Sequence, residues 1–228
     1  SVINQTYSNI EYILIDGASK DSTVDIIKEY EPLAKDKGID YKWISESDNG
    51  IYEAMNKGLE IVIGEWVNFM NCGDVFYDNS ILSKIFIGNT YDEDIIYGSY
   101  KVKHNNKIKD GKSRPLDDIW KGNFVCHQSV FVKSPILRKY KFNEAFRISA
   151  DADFFYRAYK DGLKFNCIDV CVSVFLAGGI SDSNRIEAIV EDWFIVDKNL
   201  KVNMFFISRI FVEIHKIAVK WLLRKIGV

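Results

Sequence analysis

Glu65-Trp66-Val67-Asn68-Phe69-Met70-Asn71-Cys72-Gly73-Asp74 reads as a strand over residues 65–71 that breaks into a polar turn and closes on a carboxylate. Working back, residues 51–63 have helical spacing, Glu46-Ser47-Asp48-Asn49-Gly50 is a loop, and Tyr41-Lys42-Trp43-Ile44-Ser45 is another strand. Ser22 with Asp25 opens a helix, since a short side-chain oxygen accepts from orphan amides and an early carboxylate suits the positive end of the helix dipole. Before it, Glu11-Tyr12-Ile13-Leu14-Ile15-Asp16 is a buried strand ending at Gly17. This alternation predicts an α/β fold: a Rossmann-like mixed, mainly parallel sheet with helices on both faces. Ligands of such sheets collect outside the carboxyl ends of the strands, where Asp16, Asp48 and Asp74 all stand. Three acidic residues at one rim predict a cation or a polar ligand.

Working forward, residues 94–103 form a strand, Asn105-Asn106 a turn and residues 107–115 a mobile polar loop. His127-Gln128 precedes the strand-like Ser129-Val130-Phe131-Val132. From Ser149, the positions of Phe154, Phe155, Ala158 and Tyr159 give a helical apolar face that stops at Gly162. Residues 164–176 are a strand, Gly178-Gly179 a tight loop, and a helix follows near residues 186–200. Asp151 and Asp153 stand in the first turn of the helix after Ser149. Either serves as an early-helix carboxylate, and Asp151, with Asp153 as the alternative, is the candidate catalytic base.

With 228 residues, 47% hydrophobic and 27% charged, the chain has the composition of an ordinary globular protein. A net charge of −2 gives no whole-molecule attraction for nucleic acid, which is not expected as a partner. Cys72, Cys126, Cys167 and Cys171 lack the paired spacings of a zinc site, and reduced thiols are expected. Lys, Arg or Glu interrupts every apolar stretch before it is long enough to cross a bilayer. Two units are expected, residues 1–200 and a C-terminal basic amphipathic helix at 201–228. From about Phe205, the residues Ile207, Ile210, Phe211, Ile214, Ala218, Trp221 and Leu222 share one helix face, opposite Arg209, Glu213, Lys216, Lys220 and Arg224. Such a helix lies in the surface of an anionic membrane, or packs on its own domain or a second subunit.

Six stretches, in order, resemble a known family: SVINQTYSNIEYILIDGASKDST from Ser1, SESDNGIYEAMNKGL from Ser45, GEWVNFMNCGD from Gly64, CHQSVF from Cys126, ISADADFFYR from Ile148 and LAGGIS from Leu176. Together they are similar to the nucleotide-sugar glycosyltransferases of family 2, of the GT-A fold, in the bacterial polysaccharide-biosynthesis branch. The resemblance implies that Asp16 contacts the nucleotide base, Asp48 lines the nucleotide pocket, Asp74 closes the metal and diphosphate motif, and Asp151 is the base. Asp16 before Gly17 and Asp48 in Asp-Asn-Gly are equally Asx-turn residues. The implied cofactor is Mn²⁺ or Mg²⁺. Asn71 and Gly73 depart from the family's usual acidic motif, but a hard cation takes oxygens from water and phosphates as well as from a single carboxylate. His127, with Gln128, matches a donor- or acceptor-side loop, and is otherwise a core histidine or a metal ligand. In the family a strand and turn precede the segment matching residues 1–5, which reads as a helix end. The chain is accordingly expected to be part of a longer product.

The implied reaction moves a sugar from a nucleotide-diphosphate donor, a UDP-sugar, to a hydroxyl of a glycan or lipid-linked acceptor, with inversion. The expected location is cytoplasmic, peripheral at the inner face of the membrane. Alternatives are nucleotidyl transfer, for which no Gly-rich phosphate loop is present, and a degenerate binding subunit of a polysaccharide-assembly complex.

Overall fold

Strand β1 (Glu11–Asp16) pairs in parallel with β2 (Asp40–Ser45), from Glu11 opposite Asp40 to Asp16 opposite Ser45, and helix α1 (Thr23–Asp36) makes the crossover. The computed structural model describes residues 1–105, 107–111 and 113–225. Helix α1 seals this unit by setting Ile27 and Ala34 against Ile39 and Tyr41, and the Tyr41 hydroxyl donates to the Ile27 carbonyl at 2.8 Å.

Helix α2 (Ile51–Ile61) leads to β3 (Trp66–Val67), β4 (Val75–Phe76) and α3 (Ile81–Phe86). Then come the long strand β5 (Ile95–His104), β6 (Lys107–Gly111), two 3-10 turns at Leu116–Lys121 and His127–Ser129, and β7 (Val130–Lys133). Helices α4 (Ser134–Tyr140) and α5 (Ala150–Lys160), strand β8 (Phe165–Leu176), and helices α6 (Ile180–Ser183), α7 (Arg185–Ile195) and α8 (Leu200–Lys225) follow. The second sheet runs β3-β7-β5-β8-β4, with β6 on the distal half of β5. Period-two alternation covers both faces of it. Ile95, Tyr97, Val130 and Val132 face Tyr52 and Leu59 of α2, Leu137 of α4 and Phe154 of α5, whereas Ile96, Phe131 and Val172 face Ile81 and Ile85 of α3. Full burial of Phe154 alone contributes roughly 2–3 kcal/mol.

The mixed α/β class and the helices on both faces agree with the sequence reading, but one continuous, mainly parallel sheet does not form. Parallel pairing is confined to β1 with β2 and β5 with β8, and the other four pairings are antiparallel. Between the two sheets lies a cavity of about 960 Å³ lined by Ile13 and Ile15 of β1 and by Trp66 and Val67 of β3. That space separates their edges. The strand expected at residues 65–71 shrinks to Trp66–Val67, because the Asn68 side chain takes up the carbonyls of Gln128 and Val130 at 3.0 and 2.9 Å in place of backbone pairing.

Within the expected loop of residues 107–115, Lys107–Gly111 is a strand, held on β5 in register and by the Lys101–Asp110 ion pair at 2.8 Å. Asn106 of the expected turn and Lys112 lie outside the described residues. Residues 1–5 form a turn, closed by Gln5 N–H on the Val2 carbonyl, rather than a helix end. The helix expected near 186–200 stops at Ile195, and the terminal helix begins at Leu200. Val202 and Phe206 bury its first two turns against Ile189 and Val196, and beyond Phe206 no described residue of α8 is buried. Residues 226–228 of the expected terminal helix lie outside the described residues.

Candidate active site

Helix α5 begins where the backbone N–H groups of Arg147, Ile148 and Ser149 all donate to the Glu191 carboxylate of α7 at 2.8–2.9 Å. This tether turns the first-turn Asp151 inward, leaving it 3% exposed. Its Oδ1 accepts from the Tyr52 hydroxyl at 3.1 Å and Ala152 N–H at 2.9 Å, and its Oδ2 from Asn123 Nδ2 at 2.9 Å and His127 Nδ1 at 3.0 Å. Burial pushes the Asp151 carboxyl upward, but the His127 and Asn123 hydrogen bonds and the neighbouring imidazole outweigh it and hold the group below the ordinary carboxylate range. An ionised carboxylate only accepts, so His127 Nδ1 carries the proton. In the neutral ring, Nε2 is then the acceptor and faces Asn71 Nδ2 at 3.1 Å. Asp153 pairs instead with Arg157 at 2.8 Å, away from this cluster.

Asp74 sits on the other side of the His127-Gln128 turn. Its Oδ2 accepts from Gln128 Nε2 at 2.5 Å and its Oδ1 from Leu176 N–H at 2.7 Å. The amide of Gln128 is oriented from behind, since its Oε1 accepts from the Cys126 thiol at 2.7 Å. Burial pushes the Asp74 carboxyl up, against the pull of Leu176 N–H, Gln128 and His127. Each Asp74 oxygen accepts one hydrogen bond and keeps a lone pair, and among the described residues no three His, Cys, Asp or Glu side chains converge to hold a metal, so a cation here would rest on this single carboxylate with water and phosphate oxygens.

Tyr52, Asn71, Asn123, His127, Gln128 and Asp151 line one cavity of about 1060 Å³. Asp74 lies immediately behind Gln128. Asp16 and Asp48 are brought together elsewhere, at the carboxyl ends of β1 and β2. Asp16 is buried and accepts from Ser19 N–H at 3.1 Å, from the Ser19 hydroxyl, and from the Ser45 hydroxyl at 2.7 Å. The Ser19 and Ser45 bonds hold its carboxyl below the ordinary range. Asp48 closes a turn onto Gly50 N–H at 3.0 Å, and its carboxylate packs so close to Gly17 that an added Cβ there would lie 2.7 Å from Oδ2. Neither is among the residues lining the Asp151 cavity.

Sequence reasoning missed Tyr52, Asn71 as a partner of His127, and Asn123. Tyr52 sits 99 positions from Asp151 on the buried face of α2, and its apolar spacing reads as core. The polar Asn123 next to Gly122 reads as loop. Pairing Asn71 with His127 requires knowing that the turn after β3 meets the turn before β7, which no local pattern carries.

The family model described as Glycosyl transferase family 2 matches residues 1–163. The chain is 29% identical over 164 residues to the PGL/p-HBAD biosynthesis glycosyltransferase of Mycobacterium tuberculosis, covering 71% of this chain and 62% of that protein. It is 27% identical over 179 residues to an uncharacterized glycosyltransferase of Methanocaldococcus jannaschii, covering 74% and 61%. The chain thus spans about three fifths of the length of these relatives. Among solved structures, S. aureus TarS 1-349 in complex with UDP-GlcNAc is similar at a TM-score of 0.63 and 14% identity, over 92% of this chain and 65% of that one. The mannosyltransferase PcManGT from Pyrobaculum calidifontis, in complex with GDP-Man and Mn²⁺, is similar at a TM-score of 0.62 and 13% identity, over 91% and 62%. These two likenesses show the GT-A fold.

Proposed function

Since this chain belongs to glycosyl transferase family 2, we propose that it contributes the catalytic centre of an inverting transferase that moves a sugar from a nucleotide-diphosphate donor to a hydroxyl of a glycan or lipid-linked acceptor in bacterial cell-surface polysaccharide synthesis. The observation that carries this reading is the Asp151–His127 pair, 3.0 Å apart, in one cavity with Asn71 and Gln128. The two solved relatives hold UDP-GlcNAc and GDP-Man, both nucleoside-diphosphate sugars, and a UDP-sugar is the donor proposed here.

In the proposed step the acceptor oxygen attacks the anomeric carbon and its proton passes to Asp151. The new C–O bond forms as the bond to the diphosphate oxygen breaks, and that oxygen leaves with the electron pair. One displacement inverts the centre, and no covalent sugar intermediate is required. Asp16 and Asp48, at the ends of β1 and β2, are the proposed nucleoside contacts. One solved relative contains Mn²⁺. Asp74 would hold such a cation, which would supply charge neutralisation on the departing diphosphate; no step is routed through it here, and assays with Mn²⁺, Mg²⁺ or EDTA test the expected metal dependence directly.

A second reading of the same pair is favoured by one feature. All four acceptor positions on Asp151 are taken by Tyr52, Ala152, Asn123 and His127. His127 Nε2, which faces Asn71 Nδ2 at 3.1 Å, is then the atom that would take the proton once an acceptor hydroxyl displaces that amide, with Asp151 fixing the tautomer and stabilising the imidazolium.

A panel of nucleotide sugars, followed by nucleotide release and product stereochemistry, tests the proposal. Transfer with inversion, lost in Asp151→Asn, is expected. Product with retained configuration, or undiminished turnover in that variant, refutes it. His127→Gln separates the two readings, because it costs about as much as Asp151→Asn only if the imidazole takes the proton.

A further inference from the structure

The helix that carries Asp151 is held by a segment outside residues 1–163, the part of the chain that the family model matches. Residues 147–149, which lead into α5, present three consecutive backbone N–H groups, and one side chain of α7 takes all of them. Glu191 Oε1 accepts from Arg147 at 2.9 Å, and Oε2 accepts from Ile148 at 2.9 Å and Ser149 at 2.8 Å. The peptide joining Ile148 to Ser149 is thereby fixed at both poles, its N–H by Glu191 and its carbonyl by the Tyr52 hydroxyl at 2.6 Å. Ser149 makes no side-chain capping bond to the helix it precedes, and its hydroxyl turns to the Ala188 carbonyl of α7 at 3.4 Å.

Ile148 and Ser149 are buried, so their N–H groups have no ready exchange of partner for water, and a charged acceptor makes such bonds about twice as strong as neutral ones. Helix α7 is kept in place in turn by Ile189 and Val196, which pack on Val202 and Phe206 of α8. Asp151 follows Ser149 by two residues. Its short side chain cannot make up for a displaced backbone, so the place of the Ile148–Ser149 peptide decides whether Oδ2 stands 3.0 Å from His127 Nδ1. Glu191 is not among the residues lining the cavity, and it reaches the reacting groups only through this backbone.

We infer that Glu191 is a positioning residue for the transfer step: by clamping the backbone of residues 147–149 it sets the Asp151 carboxylate against His127, which makes α7 part of the working site. The inference rests on the glycosyltransferase reading for what Asp151 does, and on the hydrogen-bond geometry alone for what holds Asp151. A cap that merely stabilised the fold would cost stability when removed and leave turnover of the folded protein unchanged. A positioning residue lowers turnover while the protein stays folded and the donor still binds.

The test compares the full chain with Glu191→Ala, Glu191→Gln and Ile85→Ala, each shown to be folded by circular dichroism at the assay temperature. Ile85 is fully buried on the opposite face of the second sheet, so its truncation weakens the fold without touching α5 or α7. In transfer from a nucleotide sugar, Glu191→Ala is expected to lower kcat about 10²-fold with the donor KM within about twofold of the parent. Glu191→Gln keeps a carbonyl oxygen for Ile148 and Ser149 but sets its amide N–H against that of Arg147, and its kcat should fall between those of the parent and Glu191→Ala. Ile85→Ala should keep kcat within about threefold. A second readout needs no turnover: the His127 Nδ1 proton, seen by NMR in histidine-labelled protein and assigned by its loss in His127→Gln, is expected at low field in the parent and in Ile85→Ala, and lost to water exchange in Glu191→Ala. Undiminished kcat in folded Glu191→Ala, an equal loss in Ile85→Ala, or an unaltered imidazole proton overturns the inference. Should Glu191→Ala not fold, Glu191→Gln carries both readouts. A parent chain that transfers from no nucleotide sugar sinks the glycosyltransferase reading, and the imidazole proton alone then decides whether Glu191 holds Asp151.

Discussion

Asp151 is a buried anion with four hydrogen-bond donors around it, and that environment sets both its chemistry and its contribution to stability. Replacing it with Asn keeps the shape but turns an acceptor into a donor facing Asn123 or His127. We expect transfer to fall by roughly 10²–10⁴-fold, read as nucleotide release, and the unfolding free energy to fall by about 1–3 kcal/mol, read by urea denaturation. The sign of the pH effect follows from the lowered carboxyl. Its stabilisation is complete above the unfolded value near pH 4 and is lost as the pH falls through the lower folded value, so Asp151→Asn should flatten the acid limb of the stability curve. Asp74→Ala leaves Gln128 Nε2 and Leu176 N–H unpaired in the interior, for a loss on the order of 2–4 kcal/mol by the same measurement. At this scale the sequence exposed the carboxylates, because Asp after a short apolar run is visible locally. Their partners were invisible: Tyr52 and Asn123 come from separate turns of the chain that only the fold brings to Asp151.

Between elements, the join of α7, α8 and the turn after Leu116–Lys121 concentrates strain and charge in one spot. Gly122 has φ +94°, and a Cβ there would overlap the Asp192 carboxylate, so any other residue strains the backbone and forces the Asp192 side chain to shift. Burial drives the Asp192 carboxyl up to about 6, against a hydrogen bond from Ser149 and the charge of Arg209. A carboxyl raised in the folded state takes up its proton before the unfolded chain does. Its ionisation therefore costs stability as pH rises from about 4 through about 6. Asp192→Asn should gain stability relative to the parent over that interval, seen as diverging denaturation midpoints between pH 4 and 7.5, whereas parallel midpoints would contradict the assignment. Element readings succeeded where one periodicity ran long enough, as in β8 and α5. They failed where a side chain replaced the ladder, as Asn68 does after β3, or where alternation was hidden by lysines, as in Lys107–Gly111.

Across the whole molecule, the order of the motifs carried the fold, since strand, helix and strand in that sequence leave few α/β arrangements. The division of the sheet depends on contacts between distant segments, and no local pattern encodes it. The terminal helix was legible in period but not in where it lets go of the domain. Val202, Phe206 and Arg209 hold it, Glu213 adds an ion pair to Arg185 at 3.6 Å, and the rest of the stretch from Phe211 to Lys225 stands exposed, with Phe211, Ile214, Trp221 and Leu222 on a common side and Lys216, Lys220 and Arg224 opposite. Among the described residues no helix is long and apolar enough to cross a membrane. From the exposed apolar side opposite the basic residues, we propose that this helix lies in a membrane surface. Removal of the chain from Phe211 onward spares Val202, Phe206 and Arg209 and should leave the melting temperature within about 2 °C, since none of the described residues lost is buried and the ion pair lost to α7 is the long Glu213–Arg185 one at 3.6 Å. The same truncation should abolish flotation with anionic liposomes. Basic residues near an anionic surface contribute about 1 kcal/mol each, so Lys216→Gln/Lys220→Gln/Arg224→Gln should lower partitioning about 10²-fold and leave binding to neutral vesicles unchanged. Equal flotation of the truncated and intact chains would assign the exposed face to a protein partner instead.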